Sequence, residues 1–178
     1  PARYRLIDKI AKKYNLKVIE DAAQSFGGSI RDKKVGTFGD IAATSFYPAK
    51  PLGCYGDGGA IFTDDCELAG IMRSIRVHGG GKNKYQNIRL GLNGRLDTFQ
   101  AAILLEKLSI FENELMLRNK IANYYSEQIT ARFKKPHIPK DYFSSWAQYS
   151  LIAKSGLKRE KIILALKQSG IPSMIYYQ

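Results

Sequence analysis

Residues 45 to 53 of the chain are Ser45-Phe46-Tyr47-Pro48-Ala49-Lys50-Pro51-Leu52-Gly53. Two short apolar runs bracket this stretch, residues 41–46 and residues 59–63, and both are typical of buried strands. The residues between the runs, from Pro48 to Gly58, are dense in glycine and proline, which predicts a loop. Lys50 therefore lies between two prolines on a stiff loop that joins two strands. Such a lysine is either an ordinary surface side chain or an amine desolvated enough to form a Schiff base.

The segment before this loop predicts a helix followed by a strand. Apolar residues from Leu6 to Tyr14 recur on one helical face, and Asn15 is expected to end the helix. Residues 17–20 form a short apolar strand, as in the second half of a βαβ unit, so the fold class is α/β. Because no strand precedes the helix and the chain opens at Pro1, we expect a fragment of a longer protein.

The segment after the loop predicts three further helical regions, together with a long loop and a strand. Residues 63–65 are helix-capping side chains before an amphipathic helix that extends to Ile75. Residues 78–93 are polar and rich in glycine, which predicts a long loop. A helical period then runs from Leu96 to about residue 130, as one helix or a helix pair that bridges two domains. A strand at residues 146–153 and a helix at 157–168, ended by Gly170 in a left-handed conformation, indicate a smaller α/β domain.

In addition to Lys50, two features are candidates for ligand contacts. Asp21 directly follows a buried strand, where open α/β sheets place ligand-binding groups. Its carboxylate is suited to a metal ion, a ribose hydroxyl or a protonated heterocycle, and equally to capping the next turn. The glycines from Gly53 to Gly59 are suited to cradling a phosphate, but they match neither the P-loop nor the dinucleotide fingerprint, and turn formation explains them equally well.

The composition excludes several classes of protein. The chain has 178 residues, 44% of them hydrophobic, and a formal net charge of +12. The charge alone suggests a polyanionic partner such as nucleic acid, but the basic residues are scattered and lack interleaved aromatic side chains, so solvated faces explain them better. No apolar run approaches the roughly 20 residues of a membrane span, so we expect a cytoplasmic protein. With two cysteines and two histidines, we expect neither a metal site nor a disulfide framework.

Four ordered motifs resemble those of the DegT/DnrJ/EryC1/StrS aminotransferases. They are residues 20–25 (Glu-Asp-Ala-Ala-Gln-Ser), 45–53, 56–60 (Gly-Asp-Gly-Gly-Ala) and 91–102 (Gly-Leu-Asn-Gly-Arg-Leu-Asp-Thr-Phe-Gln-Ala-Ala). The resemblance implies the fold of the type I pyridoxal-phosphate enzymes, with a central, mostly parallel sheet in a large domain and a smaller C-terminal α/β domain. We expect residues 1–110 to belong to the large domain and residues 111–178 to form the bridging helix and part of the small domain, both domains being incomplete.

The resemblance also implies roles for five residues. Lys50 matches the lysine that binds pyridoxal 5'-phosphate (PLP) as a Schiff base and then serves as general acid and base. Asp21 matches the aspartate that pairs with the pyridinium nitrogen, and Gln24 matches a glutamine near the ring hydroxyl. Ser45 matches a ligand of the cofactor phosphate. Asn93 matches a residue that reaches the phosphate in the neighbouring subunit, which implies a homodimer with shared active sites.

The activity implied is the transfer of an amino group from an amino acid, usually glutamate, to a nucleotide-linked keto sugar. The amino-acid sequence of residues 50–59 and 75–79 is most similar to that of enzymes that aminate the 3-keto position of UDP-linked N-acetylated sugars, such as 3-keto uronates. Amination at the 4-keto position is one alternative. A second is sugar dehydration or deamination, although the best-known of those enzymes have histidine in place of Lys50. A third is a non-enzymatic basic protein that binds polyanions, which only the net charge supports.

Overall fold

The structure, a computed structural model, describes residues 1–83, 85–154 and 158–176. Four helices are present in these ranges: α1 Tyr4–Tyr14, α2 Cys66–Arg76, α3 Thr98–Gln128 and α4 Arg159–Gln168. The strands are β1 Ile19–Asp21, β2 Ser29–Ile30, β3 Lys33–Lys34, β4 Ile41–Ser45, β5 Gly59–Phe62, β6 Phe133–Lys134, β7 Tyr142–Phe143 and β8 Ile152–Ala153.

The main sheet has the strand order β1-β4-β5. β1 and β4 are parallel, with Asp21 opposite Ala43, whereas β4 and β5 are antiparallel, with Ser45 opposite Gly59. Because parallel strands end at the same edge of a sheet, the segments that follow β1 and β4 emerge side by side. Of two smaller sheets, β3-β2-β7 joins β7 to the segment after β1, whereas β6-β8 pairs the two ends of residues 133–153 with each other.

The two faces of the main sheet have different environments. Residues of β1 and β4 alternate between the faces, and Glu20, Ala42 and Thr44 are buried on one of them. The core on that side continues into Phe46, Leu52 and Cys54, which cluster with three residues of α3: Leu104, Phe111 and Leu115. Asp21 and Ala43 lie on the opposite face and are exposed. The sheet therefore has one packed face and one accessible face, and Asp21 is on the accessible one.

Glu20 is a buried carboxylate that joins β1 to the chain before β4. Its side chain is only 1% exposed and accepts hydrogen bonds from the backbone amides of Gly36 (2.9 Å) and Phe38 (3.0 Å). The Tyr4 hydroxyl of α1 also bonds to it, and burial together with this carboxylate raises the pKa of Tyr4 well above its usual value. Because a buried charge must be satisfied by such donors, Glu20 fixes both α1 and the loop at residues 36–38 onto β1.

Most of the predicted elements are confirmed. Helix α1 ends at Asn15, which has a left-handed φ of 51°, and Gly170 follows α4 with a φ of 71°. The predicted strands at residues 17–20, 41–46 and 59–63 correspond to β1, β4 and β5 with shifts of one or two residues at their ends. The Asp65 side chain caps α2. The predicted start of the last helix, Leu157, lies outside the described residues, and helix α4 begins at Arg159.

The long helical period forms one helix rather than a pair, since α3 is continuous over 31 residues. Among the described residues, no helix is both long enough and apolar enough to cross a membrane. The division of the chain at residue 110, which falls inside α3, remains a prediction.

The strand predicted at residues 146–153 is wrong for most of its length. Trp146 has a left-handed φ of 47°, which interrupts an extended conformation. Its indole N–H donates to Asn119 of α3 at 3.0 Å, and its ring stacks on Tyr149 with a centroid separation of 5.3 Å. Side-chain contacts thus hold this segment along α3, and only Ile152–Ala153 pair with another strand. The apolar alternation in the sequence reflects packing on a helix instead of packing in a sheet.

Replacing Glu20 by alanine is expected to lower the free energy of unfolding by about 3 kcal/mol, because it leaves buried amide donors without an acceptor. Urea denaturation followed by circular dichroism measures the change. Glu112→Ala is the matched control, since Glu112 is exposed on α3, and it should change stability by less than about 0.5 kcal/mol. Equal stability of the two variants would show that Glu20 does not hold these segments together.

Candidate active site

Asp21 is the last residue of β1, and its exposed carboxylate has two distinct oxygens. Oδ1 accepts a hydrogen bond from the backbone amide of Ala23 at 2.9 Å, which confirms the turn-capping interpretation. Oδ2 has no hydrogen-bond partner in the described part of the chain. The backbone bond fixes the orientation of the carboxylate while the second oxygen stays available. Capping and ligand binding are therefore compatible at Asp21.

Ser45 ends β4, and its position in the strand places it on the same face of the sheet as Ala43 and Asp21. Its hydroxyl oxygen accepts a hydrogen bond from the backbone amide of Tyr47 at 3.2 Å. Because a serine hydroxyl both accepts and donates, its proton remains available for an anion. Ala43 presents only a methyl group next to Asp21, which leaves room for a flat ring on this face.

Lys50 lies on residues 46–58, which we call the lysine loop. Its backbone amide donates to the Tyr47 carbonyl at 2.8 Å, and its side chain is half-buried. The following residues 51–54 are all buried, and we call them the plug. The plug lies between the rest of the lysine loop and α3. Its residues Leu52 and Cys54 belong to the core cluster. Lys50 is thus at the point where the loop passes from solvent into the core.

The lysine loop is closed by bonds to its own backbone. The Phe46 carbonyl accepts from the Cys54 amide at 2.7 Å and from the Cys54 thiol at 3.0 Å, and the thiol also lies 3.2 Å from the Gly56 carbonyl. Gly53 permits the closure, because a Cβ atom at that position would lie 2.7 Å from the Pro48 carbonyl oxygen. The position of Lys50 is therefore set by a rigid turn.

Gln24 lies in the turn that follows β1, close along the chain to Asp21. Its side chain is exposed, and its backbone carbonyl accepts a bond from the Ser145 hydroxyl at 3.4 Å. The structure thus groups Asp21, Gln24, Ser45 and Lys50 on the segments at the carboxyl ends of β1 and β4. Their assigned roles remain predictions.

Asn93 is on a different segment, residues 77–94. The described residues of this segment, 77–83 and 85–94, double back through bridges between Val77 and Asn93 and between Gly80 and Asn87. The Asn93 side-chain oxygen accepts from Arg95 Nε at 2.9 Å, which directs the amide group. Within the described residues, no hydrogen bond joins Asn93 to the other four site residues. Its role toward a second subunit remains a prediction.

Sequence reasoning missed two residues of α3 that contact the lysine loop. The carboxamide of Gln100 bonds to the backbone of Tyr55, and Arg118 Nη2 lies 3.5 Å from the Pro51 carbonyl. Gln100 is inside the fourth motif, so the resemblance indicated the residue but assigned it no role. Only the folded chain shows its partner, because 45 residues separate it from Tyr55.

The groups at this edge fit PLP chemically. The cofactor has a ring nitrogen that needs an acid partner, a flat ring, a phosphate and an aldehyde. Asp21 offers an oriented carboxylate, Ala43 a small apolar surface, Ser45 a hydroxyl donor and Lys50 an amine. A cavity of about 1040 Å³ lies against β4, β5 and α2; Ala43 lines it, but none of the five site residues does.

Comparison with known proteins gives a consistent result. The DegT/DnrJ/EryC1/StrS aminotransferase family model matches residues 1–178. The chain is 48% identical over 177 residues to a UDP-2-acetamido-2-deoxy-3-oxo-D-glucuronate aminotransferase of Pseudomonas aeruginosa, covering 99% of this chain and 48% of that protein. The chain therefore spans about half the length of the curated relatives it matches.

Solved structures share the fold. A DegT DnrJ EryC1 StrS aminotransferase from Brucella abortus superposes with a TM-score of 0.95 at 51% identity, over 99% of this chain and 47% of that one. An E. coli GDP-4-keto-6-deoxy-D-mannose-3-dehydratase with bound hydrated PLP gives a TM-score of 0.82 at 25% identity, over 97% and 49% of the two chains. The predicted α/β fold of the type I enzymes is confirmed.

Gly53→Ala is expected to lower the free energy of unfolding by about 1–3 kcal/mol, because the added methyl group would collide with backbone carbonyls of the lysine loop. Gly70→Ala is the control. Gly70 lies in α2 with no atom within 4 Å of an added Cβ, so alanine there should stabilise the helix by up to about 1 kcal/mol. Thermal unfolding of both variants tests the difference, and a neutral Gly53→Ala would mean that the turn is not tightly closed.

Proposed function

Since the chain belongs to the DegT/DnrJ/EryC1/StrS aminotransferase family, we propose that the full-length protein is a PLP-dependent aminotransferase that acts on a nucleotide-linked keto sugar. The observation that carries the proposal is the placement of Lys50 and Asp21. The lysine loop follows β4, and Asp21 ends the neighbouring parallel strand β1. An oriented carboxylate and the loop that carries the lysine thus follow neighbouring parallel strands at one edge of the sheet, which supports a site for a pyridine aldehyde.

PLP, when bound, supplies an electron sink that stabilises negative charge at the substrate carbon. Asp21 supports this chemistry by holding a proton at the ring nitrogen. Its Oδ2 atom faces no competing donor in the described residues, and the Ala23 amide on Oδ1 keeps the carboxylate oriented. A carboxylate oriented in this way is suited to pair with a cationic ring nitrogen.

Lys50 is assigned two tasks. Its amine would hold the cofactor covalently, and the same amine, when free, would take up and release a proton at the substrate carbon. The closed turn that carries Lys50 limits its backbone freedom, so the amine returns to the same position in each half of the exchange. Positioning of this kind lowers the entropic part of the barrier.

Three further residues complete the proposed site. Ser45 would donate its hydroxyl proton to the cofactor phosphate, and Gln24 would lie beside the ring hydroxyl. Asn93, oriented by Arg95, would reach the phosphate bound by a second subunit, and the proposed assembly is therefore a homodimer with shared sites. The cytoplasm is the proposed location, since nucleotide sugars and amino-acid donors are both found there.

The proposed substrate is a UDP-linked N-acetylated sugar with a ketone at position 3, and the proposed donor is glutamate. Support comes from the similarity of residues 50–59 and 75–79 to such enzymes and from the 48% identical relative named for a 3-oxo-glucuronate. The net charge of +12 suits a diphosphate-bearing substrate. Incubation of the full-length protein with glutamate and each keto sugar, with the new amine located by NMR, tests this choice. Amination only at position 4 would contradict it.

Borohydride reduction of the PLP-loaded full-length protein is expected to leave a pyridoxyl group on Lys50, because this amine alone among the described lysines follows β4 within the cofactor-lysine motif. Peptide mapping by mass spectrometry locates the label. A pyridoxyl group on any other lysine would show that the assignment of the active site is wrong.

Asp21→Asn is expected to slow the proton-transfer step by at least about a hundredfold, because a neutral amide cannot hold the ring nitrogen protonated; each factor of ten is about 1.4 kcal/mol of barrier. Single-turnover kinetics with glutamate measure the rate. Asp64→Asn is the control, since Asp64 is exposed beyond β5, and its rate should equal that of the wild type. A normal turnover rate in Asp21→Asn would show that Asp21 only caps the turn after β1.

A further inference from the structure

Gln100, the third residue of α3, pairs with the lysine loop in an unusual way. Its side-chain Oε1 accepts from the Tyr55 amide at 2.8 Å, and its Nε2 donates to the Tyr55 carbonyl at 3.2 Å. One carboxamide therefore satisfies both backbone groups of a single residue, as a neighbouring strand would. Only asparagine and glutamine carry an amide donor and a carbonyl acceptor on one planar group, and asparagine is one methylene shorter.

Core packing does not account for this pairing. Tyr55 is 76% exposed, so its backbone could bond to water instead. The next residue, Gly56, has a φ of 154°, and a Cβ atom there would lie 3.2 Å from Gln100 Nε2. The loop therefore approaches Gln100 closely at a position without a side chain. Both observations indicate that the contact fixes the location of this part of the loop.

The connection from Tyr55 back to Lys50 is short and rigid. The plug is buried throughout, and Cys54 is tied to the Phe46 carbonyl by its amide and its thiol. If Tyr55 moves, the plug is therefore expected to move with it instead of bending. The second contact from α3, between Arg118 and the Pro51 carbonyl, is long at 3.5 Å and made by one donor, so Gln100 is the better-defined anchor.

We propose that Gln100 is a positioning residue. By pairing with the backbone of Tyr55 it fixes the plug on α3, and it thereby sets where the Lys50 amine lies relative to Asp21 and Ser45. The inference rests on the proposed function for the chemistry of Lys50. The pairing of Gln100 with Tyr55 and its effect on the plug are properties of the chain itself.

Three variants of the full-length protein test the proposal. Gln100→Ala removes both bonds. Gln100→Glu keeps the acceptor and regains a donor only when its carboxyl is protonated, below its ordinary pKa of about 4.3. Gln128→Ala is the matched control, because Gln128 is exposed at the other end of the same helix.

The first measurements use cofactor-free protein. Hydrogen exchange of residues 51–56, normalised for the intrinsic pH dependence, is expected to accelerate roughly tenfold in Gln100→Ala, which is the effect of losing about 1.4 kcal/mol of local stability. The normalised exchange rate of Gln100→Glu should equal that of the wild type at about pH 4 and that of Gln100→Ala at about pH 7. Competitive acetylation should show an altered reactivity of Lys50 in Gln100→Ala and an unchanged one in Gln128→Ala. If Gln100→Ala does not fold, the two pH conditions of Gln100→Glu supply the same comparison.

The last measurement uses PLP-loaded protein. Gln100→Ala should lower kcat roughly tenfold to a hundredfold with little change in KM for glutamate, as expected for a misplaced reacting group. The proposed role of Gln100 would be wrong if Gln100→Ala showed the same exchange rates and the same Lys50 reactivity as the wild type while the pyridoxyl label was on Lys50. A label on another lysine in the wild-type protein would instead refute the proposed function, so the two failures are distinguishable.

Discussion

The parallel pairing of β1 with β4 is the constraint on which the candidate site depends. It places Asp21 opposite Ala43 and brings the turn after β1 next to the lysine loop after β4. A carboxylate and an amine that are 29 positions apart in the sequence thus emerge at one edge of one sheet. The buried carboxylate of Glu20 supports this arrangement from the other face, because it ties residues 36–38 and α1 to β1. The same short strand therefore carries one acidic group that is buried and bonded to the chain, Glu20, and one that is exposed on the opposite face, Asp21.

Helix α3 determines where the lysine loop lies. Its residues Leu104, Phe111 and Leu115 pack against Leu52 and Cys54 of the plug, so Lys50 directly precedes residues of the hydrophobic core. The glycine at position 53 and the thiol of Cys54 close the turn, and the Gln100 carboxamide joins its far end to the helix. Local rigidity of this kind is what a reusable catalytic amine needs, since its position must be restored in every turnover.

Several parts of this arrangement were predictable because they depend on local sequence. The helical period of α1 and α3, the cap at Asp65 and the left-handed residues Asn15 and Gly170 are set by neighbouring residues. The strand expected at residues 146–153 failed because Trp146 and Tyr149 pack on α3, a contact between distant segments that periodicity does not contain. The short strands β2, β3, β6 and β7 were missed for a similar reason, since two-residue strands are defined by their partners.

The sequence by itself determined the α/β class, the family motifs and the residues that can do the chemistry, because these follow from side-chain type, spacing and order. Tertiary structure decided which of those residues meet. It placed Asp21 and Ser45 on one face, left Asn93 on a separate segment, and brought Glu20 to the loop at residues 36–38 and Gln100 to the backbone of Tyr55. The physical reason is that hydrogen bonds between distant backbone and side-chain groups depend on three-dimensional geometry, and a linear pattern carries no record of which donor finds which acceptor.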